Sequence, residues 1–214
     1  MMQDISLHLM DVLENSAKAG AKNVRVDFAW SDARLRVRIE DDGPGLPPEI
    51  AADPTDPYRT TRRERPVGLG LAFLRQSAEA TGGRLGVDST PGKGVVVTVE
   101  FVFGGADAKP LGDLPGVLAM TTVAWPELDL RVTVHGTNLV LDMKAVKAEL
   151  DGVPLDHPAV RVFVGELLEG GLSQLMAWGG QEFALENQAT EAQEGRAGPA
   201  GRPAGGHTPP SVFP

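Results

Sequence analysis

The sequence predicts an α+β fold, because segments with a helical period alternate with pairs of short segments in which apolar and polar residues alternate. Residues 8–21 have the helical period, and residues 24–30 and 35–40 form a predicted hairpin. Residues 68–81 are helical again, and residues 85–103 form a second hairpin around a Pro-Gly-Lys-Gly turn. The predicted order is helix, hairpin, helix, hairpin, and a smaller α+β unit follows.

The first predicted helix has two different faces. Asp11 and Asn15 share one face with His8 and Lys18, because four residues make about one turn. A carboxylate and a carboxamide are compact oxygen groups that suit water and a hard cation. A solvated helix face also explains the spacing. We expect His8 to hydrogen-bond the Asp11 carboxylate or to tune its pKa. The opposite face is a packing stripe of Ile5, Leu9, Val12, Leu13 and Ser16.

The second predicted strand ends in Asp41-Asp-Gly-Pro-Gly. Asp41 would lie at the strand end, while Gly43 and Gly45 would let the backbone approach a ligand closely. A carboxylate in this place can accept a hydrogen bond from an exocyclic amine. The alternative is a Gly/Pro turn with surface aspartates.

A long polar loop over residues 53–67 precedes the second helix. From Thr60 onward it combines hydroxyls and guanidiniums with a Gly68-Leu-Gly70 step at a helix start, and all of these suit phosphate oxygens. The segment lacks the Gly-Lys-Ser/Thr of a Walker loop, and Phe73 replaces the third glycine of a dinucleotide fingerprint. An Arg-rich loop before an ordinary helix is the alternative. The basic cluster consists of Arg59, Arg62, Arg63 and Arg65.

The second half of the chain predicts a smaller α+β unit. Residues 104–115 look like a linker. Strands are predicted over residues 117–125, 128–135 and 139–142, and helices over residues 143–150 and 158–178. Residues 188–214 are rich in Gly, Pro, Ala and Gln, which predicts a disordered tail. The predicted division is 1–104, 105–187 and 188–214.

Composition limits the partners. The formal charge of -9 argues against nonspecific binding to nucleic acid, which needs surplus Lys and Arg. The absence of cysteine excludes disulfides, thiol catalysis and thiolate zinc sites. No signal peptide is visible, and no apolar run reaches the roughly 18 residues that span a bilayer. We expect a cytoplasmic protein that binds neither membrane nor nucleic acid.

In this order, the motifs resemble those of the GHKL ATPases, the superfamily of gyrase, histidine kinases, mismatch-repair MutL proteins and an ATP-dependent chaperone. The resemblance covers roughly residues 3–103, and the run from Leu13 to Ala21 is especially similar to MutL-like proteins. It implies the Bergerat fold, a two-layer α/β sandwich with a mixed sheet and helices on one face. It also implies ATP and Mg²⁺ as ligands.

By this resemblance, Asp11 is the general base, Asn15 binds Mg²⁺, and Asp41 accepts a hydrogen bond from the adenine amino group. Asp11 stands where many members have Glu, and Val95 where threonine is frequent. The residues implied to bind nucleotide are Asn15, Asp41, Gly43, Gly45, Thr60, Thr61, Arg62, Gly68, Leu69, Gly70 and Leu71.

The resemblance implies an ATP-binding protein that acts as a nucleotide-dependent switch with slow Mg-dependent hydrolysis. Two alternatives stay open: phosphate transfer to a separate protein partner of unknown identity, and a regulatory scaffold that binds nucleotide without hydrolysis. Kinase phosphoacceptor histidines usually lie in a dimerising helix with an acidic neighbour and a downstream proline, whereas His8, His135, His157 and His207 are followed by Leu, Gly, Pro and Thr. Residues 107–180 resemble small C-terminal extensions of free-standing bacterial ATP-binding proteins.

Overall fold

A computed structural model of the chain describes residues 4–56, 69–105 and 108–194, with the backbone alone for Leu69 and residues 181–194. In these ranges, a six-stranded mixed sheet carries helices on one face, so the predicted α+β class is confirmed and is consistent with the Bergerat fold. The strands are β1 (Asn23–Ser31), β2 (Arg34–Asp41), β3 (Arg84–Thr90), β4 (Gly94–Val102), β5 (Asp129–Val134) and β6 (Asn138–Asp142). The helices are α1 (Ile5–Lys18), α2 (Pro48–Ala51), α3 (Leu69–Ala80), α4 (Leu114–Ala124), α5 (Met143–Glu149) and α6 (Pro158–Glu194).

The strands follow the spatial order β3-β4-β2-β1-β5-β6. All neighbouring strands are antiparallel except β1 and β5, which are parallel. The β1–β2 hairpin follows the predicted alternation, because Val24, Val26 and Phe28 are fully buried while Arg25 between them is exposed. The other sheet face therefore remains polar.

Helix α1 begins at an aspartate cap. The Asp4 side chain accepts a hydrogen bond from the Leu7 N–H at 3.0 Å, which satisfies a donor that the first turn leaves open. The helix ends before Gly20, whose φ of 89° suits a residue without a Cβ. Its apolar stripe packs into the core as predicted, with Ile5 and Leu13 at 0% exposure.

Helix α4 corrects one prediction, since residues 117–125 were expected to form a strand. Asp113 caps the helix by accepting from the Gly116 N–H at 2.9 Å, and Pro115 lies in its first turn, where proline suits a helix. The segment is apolar on nearly every side, and such a run does not distinguish a buried helix from a buried strand. The cap and the proline are the signals that do.

The stretch before α4 is tied to the start of α1. The Ile5 and Ser6 N–H groups donate to the carbonyls of Pro110 and Leu111 at 3.0 and 2.9 Å. These bonds satisfy further open donors of the first turn of α1. The predicted linker is thus part of the packing around α1.

The second half of the chain continues the same sheet. β5 pairs with β1 from Asn23↔Asp129 to Phe28↔Val134, so it lies beside the central hairpin. The division at residue 104 stays a prediction, and any unit that begins there shares a sheet with residues 1–104. α6 starts as predicted but continues to Glu194, past the predicted start of the tail, and residues 195–214 lie outside the described residues.

Helix α6 is fixed to the turn between β1 and β2. The Trp178 Nε1–H donates to the carbonyl of Asp32 at 3.0 Å. Its ring meets Phe103 edge-on at 5.0 Å and lies 6.4 Å from Trp30, between ring centroids. In the ranges described above, no helix has the length and apolar character needed to cross a bilayer.

The β1–β5 pairing predicts that one core spans both halves of the chain. Leu130→Ala in β5, at 1% exposure, should lower the free energy of unfolding by about 2–5 kcal/mol, because it removes buried methyl groups and leaves a cavity. Urea denaturation of Leu130→Ala should show one unfolding transition, and its midpoint should shift to a lower urea concentration than in the wild type. Leu139→Ala on β6, at 55% exposure, is the matched control and should change little. A separate transition that moves alone in Leu130→Ala would contradict the single core.

Candidate functional site

The polar face of α1 holds Asp11 and Asn15 one turn apart. The Asn15 Nδ2 donates to Asp11 Oδ2 at 3.1 Å, so the two side chains form one polar pair. The opposite face carries Val12, Leu13 and Ser16, which are buried. The packing of that face holds the pair in a fixed direction.

Asp41 ends β2 and is almost buried, at 8% exposure. Its Oδ2 accepts from the Ser16 hydroxyl at 2.7 Å. Its Oδ1 accepts from the Gly43 N–H at 2.9 Å and the Val95 N–H at 3.2 Å. An ionised carboxylate offers about four acceptor positions. Three of them are filled by these bonds, which leaves room on Oδ2 for one more donor.

Ser16 is the site residue that sequence reasoning missed, because it was assigned to the packing stripe of α1. Its hydroxyl is buried and joins α1 to the end of β2. A hydroxyl within an otherwise apolar stripe needs a partner when it is buried. That requirement was the signal available in the sequence.

The Gly43–Gly45 loop packs against the turn between β3 and β4. Gly45 has a φ of 77°, and a Cβ there would come 2.7 Å from the carbonyl oxygen of Thr90. The Gly92 N–H donates to the carbonyl of Pro44 at 2.8 Å. A Cβ at Gly94 would overlap the backbone carbonyl of Asp41. The structure therefore brings the Asp41 motif and the predicted Pro-Gly-Lys-Gly turn together.

Helix α3 reaches the polar pair at its first turn. A Cβ at Gly70 would overlap Asp11 Oδ2, so the glycine lets the α3 backbone lie directly against the carboxylate. Leu71 is half-buried at the edge of the core. Asp11, Asn15, Asp41, Gly43, Gly45, Gly70 and Leu71 are thus on elements that meet. Thr60, Thr61, Arg62 and Gly68, the side chain of Leu69, and the basic cluster at residues 59–65 lie outside the described residues.

His8 corrects another prediction, because it does not reach Asp11. Its ring is 2% exposed, and Nε2 lies 2.9 Å from the Ser77 hydroxyl of α3. Burial lowers the pKa of His8 to about 4, the Lys109 charge adds to the lowering, and Asp4 opposes it. Nδ1 is buried with no hydrogen-bond partner in the described part of the chain. α3 crosses α1 at this point and covers the ring, which the period of α1 alone cannot reveal.

Asp42, next to Asp41, has a different role. Its carboxylate accepts from the Lys22 and Asn23 N–H groups at 2.7 and 2.9 Å and from the Asn23 side chain at 2.6 Å. Burial alone raises the pKa of Asp42, but the bonds from Asn23 and Lys22 outweigh it and lower the pKa below its usual value. Asp42 thus secures the start of β1.

Residues 3–104 match the family model for the histidine kinase-, DNA gyrase B-, and HSP90-like ATPases. The matched range contains α1, Asp41 with the Gly43–Gly45 loop that follows it, the start of α3 and the β3–β4 turn. Residues 3–104 are therefore a GHKL-type ATPase domain.

Relatives of the GHKL domain include two protein classes. The sensor protein kinase CarS of Pseudomonas aeruginosa is 36% identical over 102 residues, which are 46% of this chain and 22% of CarS. The DNA mismatch repair protein MutL of Thermus thermophilus is 29% identical over an alignment of 218 positions, covering 88% of this chain and 38% of MutL. The chain spans well under half the length of either relative.

The buried His8 predicts a pH dependence of stability. Because its folded pKa of about 4 lies below the ordinary 6.5, the unfolded chain binds a proton between these pH values that the folded chain does not. The His8 contribution to stability should be complete above pH 6.5 and should decrease as the pH falls toward 4. Urea denaturation across this range should show a shallower pH slope in His8→Gln.

His157→Gln, at an exposed histidine, is the control and should keep the wild-type slope. An unchanged slope in His8→Gln would contradict the lowered pKa of His8. Carboxylates distant from His8 that titrate in the same range affect all three proteins alike, so the difference between slopes isolates the His8 site.

Proposed function

We propose that the GHKL domain binds Mg-ATP where α1, the end of β2 and the start of α3 meet. The proposal rests chiefly on the Ser16–Asp41 hydrogen bond of 2.7 Å, which joins the Asp11–Asn15 helix to the strand-end carboxylate. This bond places a group suited to an amine and groups suited to a cation on one rigid frame. The family match over residues 3–104 supports ATP as the nucleotide.

Asp41 would select adenine. Its Oδ2 has an acceptor position beyond the bond from Ser16, and adenine presents an exocyclic amino donor. Guanine presents a carbonyl oxygen at the equivalent ring position. A carboxylate would repel that oxygen, and the buried site would leave both acceptors without a donor. Because the Gly43 N–H donates to the Asp41 carboxylate, the backbone of Gly43 would also lie near the bound adenine.

Asn15 would hold Mg²⁺ through its carboxamide oxygen. Mg²⁺ is usually bound by one or two protein oxygens together with substrate phosphates and water, so one side chain on α1 fits this pattern. The ion would neutralise charge on the phosphate oxygens. The start of α3 lies beside the Asp11–Asn15 pair, and a helix N-terminus favours phosphate. Thr60, Thr61, Arg62 and the backbone of Gly68, Leu69 and Gly70 would close over the phosphates.

Asp11 would act as general base in slow hydrolysis. Its carboxylate is oriented by the Asn15 amide and lies against the first turn of α3. A base must reach the attacking water within about 2.6–3.2 Å. Aspartate reaches one methylene less far than the glutamate of many relatives, which supports slow turnover. ATP binding and hydrolysis would then act as a switch that a partner protein senses.

Phosphate transfer to a separate partner is the second candidate. It is favoured by the 36% identity to a sensor protein kinase over 102 residues. Labelled γ-phosphate that appears on a protein copurified with this chain would support transfer. Release as inorganic phosphate would support the switch, and binding without either product would support a scaffold.

We expect Asp41→Asn to weaken ATP binding by about 10–100-fold, because the amide gives up a charged acceptor. Isothermal titration calorimetry measures this affinity. Asn15→Ala should weaken binding in the presence of Mg²⁺ and have a smaller effect when Mg²⁺ is chelated. Asp42→Asn is the matched control and should leave the affinity unchanged. Wild-type affinity in both Asp41→Asn and Asn15→Ala would contradict the assigned site.

We expect Asp11→Asn to abolish phosphate release while ATP still binds, because an amide cannot accept the proton of the water. A phosphate-release assay with saturating ATP measures turnover. Glu14→Gln, on the same helix and paired with Lys18 at its surface, is the control and should keep wild-type turnover. Undiminished turnover in Asp11→Asn would exclude Asp11 as the base.

A further inference from the structure

Helix α4 is apolar on its exposed side as well as on the side that packs against the core. Its residues, Leu114–Ala124, include no charged side chain. The inner side of the helix is buried, with Leu114 and Leu118 at 0% exposure. The outer side carries Met120 at 62% exposure. A helix that is apolar all round is usually covered all round.

The outer side of α4 and the first half of α6 enclose an open groove of about 760 Å³. Its walls are mainly aliphatic, and Val162 of α6 lies on its rim at 60% exposure. Phe163 follows on the same helix at 48% exposure. Exposed apolar surfaces of this kind commonly mark protein contacts. The rim of the groove on α6 also includes Arg161, Gly165, Glu166 and Glu169.

Two of the three charged residues on the α6 side of this rim have a symmetric arrangement. Arg161 and Glu169 lie on opposite sides of Gly165 in the chain, each four residues away. Neither side chain forms an ion pair within residues 4–56, 69–105 and 108–180. A second copy of this helix, related by a rotation of 180° about an axis through Gly165, would bring its Glu169 opposite Arg161 and its Arg161 opposite Glu169. With respect to Arg161 and Glu169, the rim is therefore complementary to itself.

Gly165 leaves room for a second helix. A Cβ at this position would meet no atom within 4 Å, so packing within one chain does not require glycine here. Glycine inside a helix costs about 1 kcal/mol relative to alanine. Its small surface lets another helix approach the α6 backbone closely. Together with the symmetric charges, this favours a second copy over a partner with one sign of charge.

We propose that a second copy of this chain covers the groove in a two-fold contact, with the two α6 helices antiparallel and crossing at Gly165. Arg161 then faces the partner's Glu169, and the reverse pair forms by symmetry, as in any isologous interface. Met120 and Val162 are buried at the centre. The contact is separate from the ATP site, so its tests are made without nucleotide.

The first test compares two glycines of α6. Sedimentation equilibrium of the full chain should show a reversible dimer. Gly165→Leu should raise the dimer dissociation constant about tenfold or more, because a large side chain blocks the crossing. Gly170→Leu is the matched control, since a Cβ there also meets no atom within 4 Å and Gly170 is not part of the groove. It should leave the dissociation constant unchanged.

Thermal melting separates an interface effect from misfolding. Both leucine variants should melt no lower than the wild type at concentrations where the chain is monomeric, because leucine favours a helix over glycine. A wild type that stays monomeric at all accessible concentrations would overturn the proposal. So would a Gly165→Leu protein that folds and dimerises as tightly as the wild type.

A charge exchange tests the antiparallel pairing. Arg161→Glu and Glu169→Arg should each weaken the dimer, because each places like charges opposite one another twice in the interface. The double variant should restore the affinity, since the pairs reform with reversed sign. Arg84→Glu, with a side chain 81% exposed on β3, controls for net charge and should leave the affinity unchanged. Single variants that bind like the wild type, or a double variant that remains weak, would refute this pairing.

Discussion

The position of α1 determines the rest of the site. Ile5, Leu9 and Leu13 are at most 1% exposed, so the apolar face cannot turn without leaving the core. Because neighbouring residues of a helix differ by about 100° in direction, a shift of one residue would move Asp11 and Asn15 off their face. The packing of the apolar face therefore fixes the direction in which Asp11 and Asn15 point. The Ser16–Asp41 bond then links this helix to the sheet at one further point.

Strand register determines the other half of the site. In the antiparallel pairing of β2 with β4, Glu40 lies opposite Val96, so Asp41 meets the start of β4 and accepts from the Val95 N–H. A slip of one residue would turn Asp41 to the opposite face of the sheet. The alternation that buries Val37 and Ile39 prevents this slip. Both halves of the site are thus held by the same hydrophobic core.

Local signals were sufficient for much of this fold. Alternation predicted the β1–β2 hairpin, and spacing placed Asp11 and Asn15 on one face. Predictions failed where the answer depended on distant partners. The apolar run of α4 was interpreted as a strand, and its burial against α1 and α6 is a tertiary property. His8 was placed beside Asp11 because the helix period does not reveal that α3 covers the ring. The parallel pairing of β5 with β1 joins residues about a hundred positions apart, and no local pattern encodes it.

The proximity of α3 to Asp11 bears on the proposal that this shorter side chain acts as the general base. A glutamate carboxylate would need space for one more methylene, and the α3 backbone at Gly70 already lies against the aspartate oxygen. The shorter acid and the glycine therefore fit each other. If phosphate binds at the start of α3, as helix N-termini favour, Asp11 lies close to it despite its limited reach. Catalysis by Asp11 in this chain would then depend on Gly70 as well, because any side chain at residue 70 would displace the carboxylate from the place where it acts.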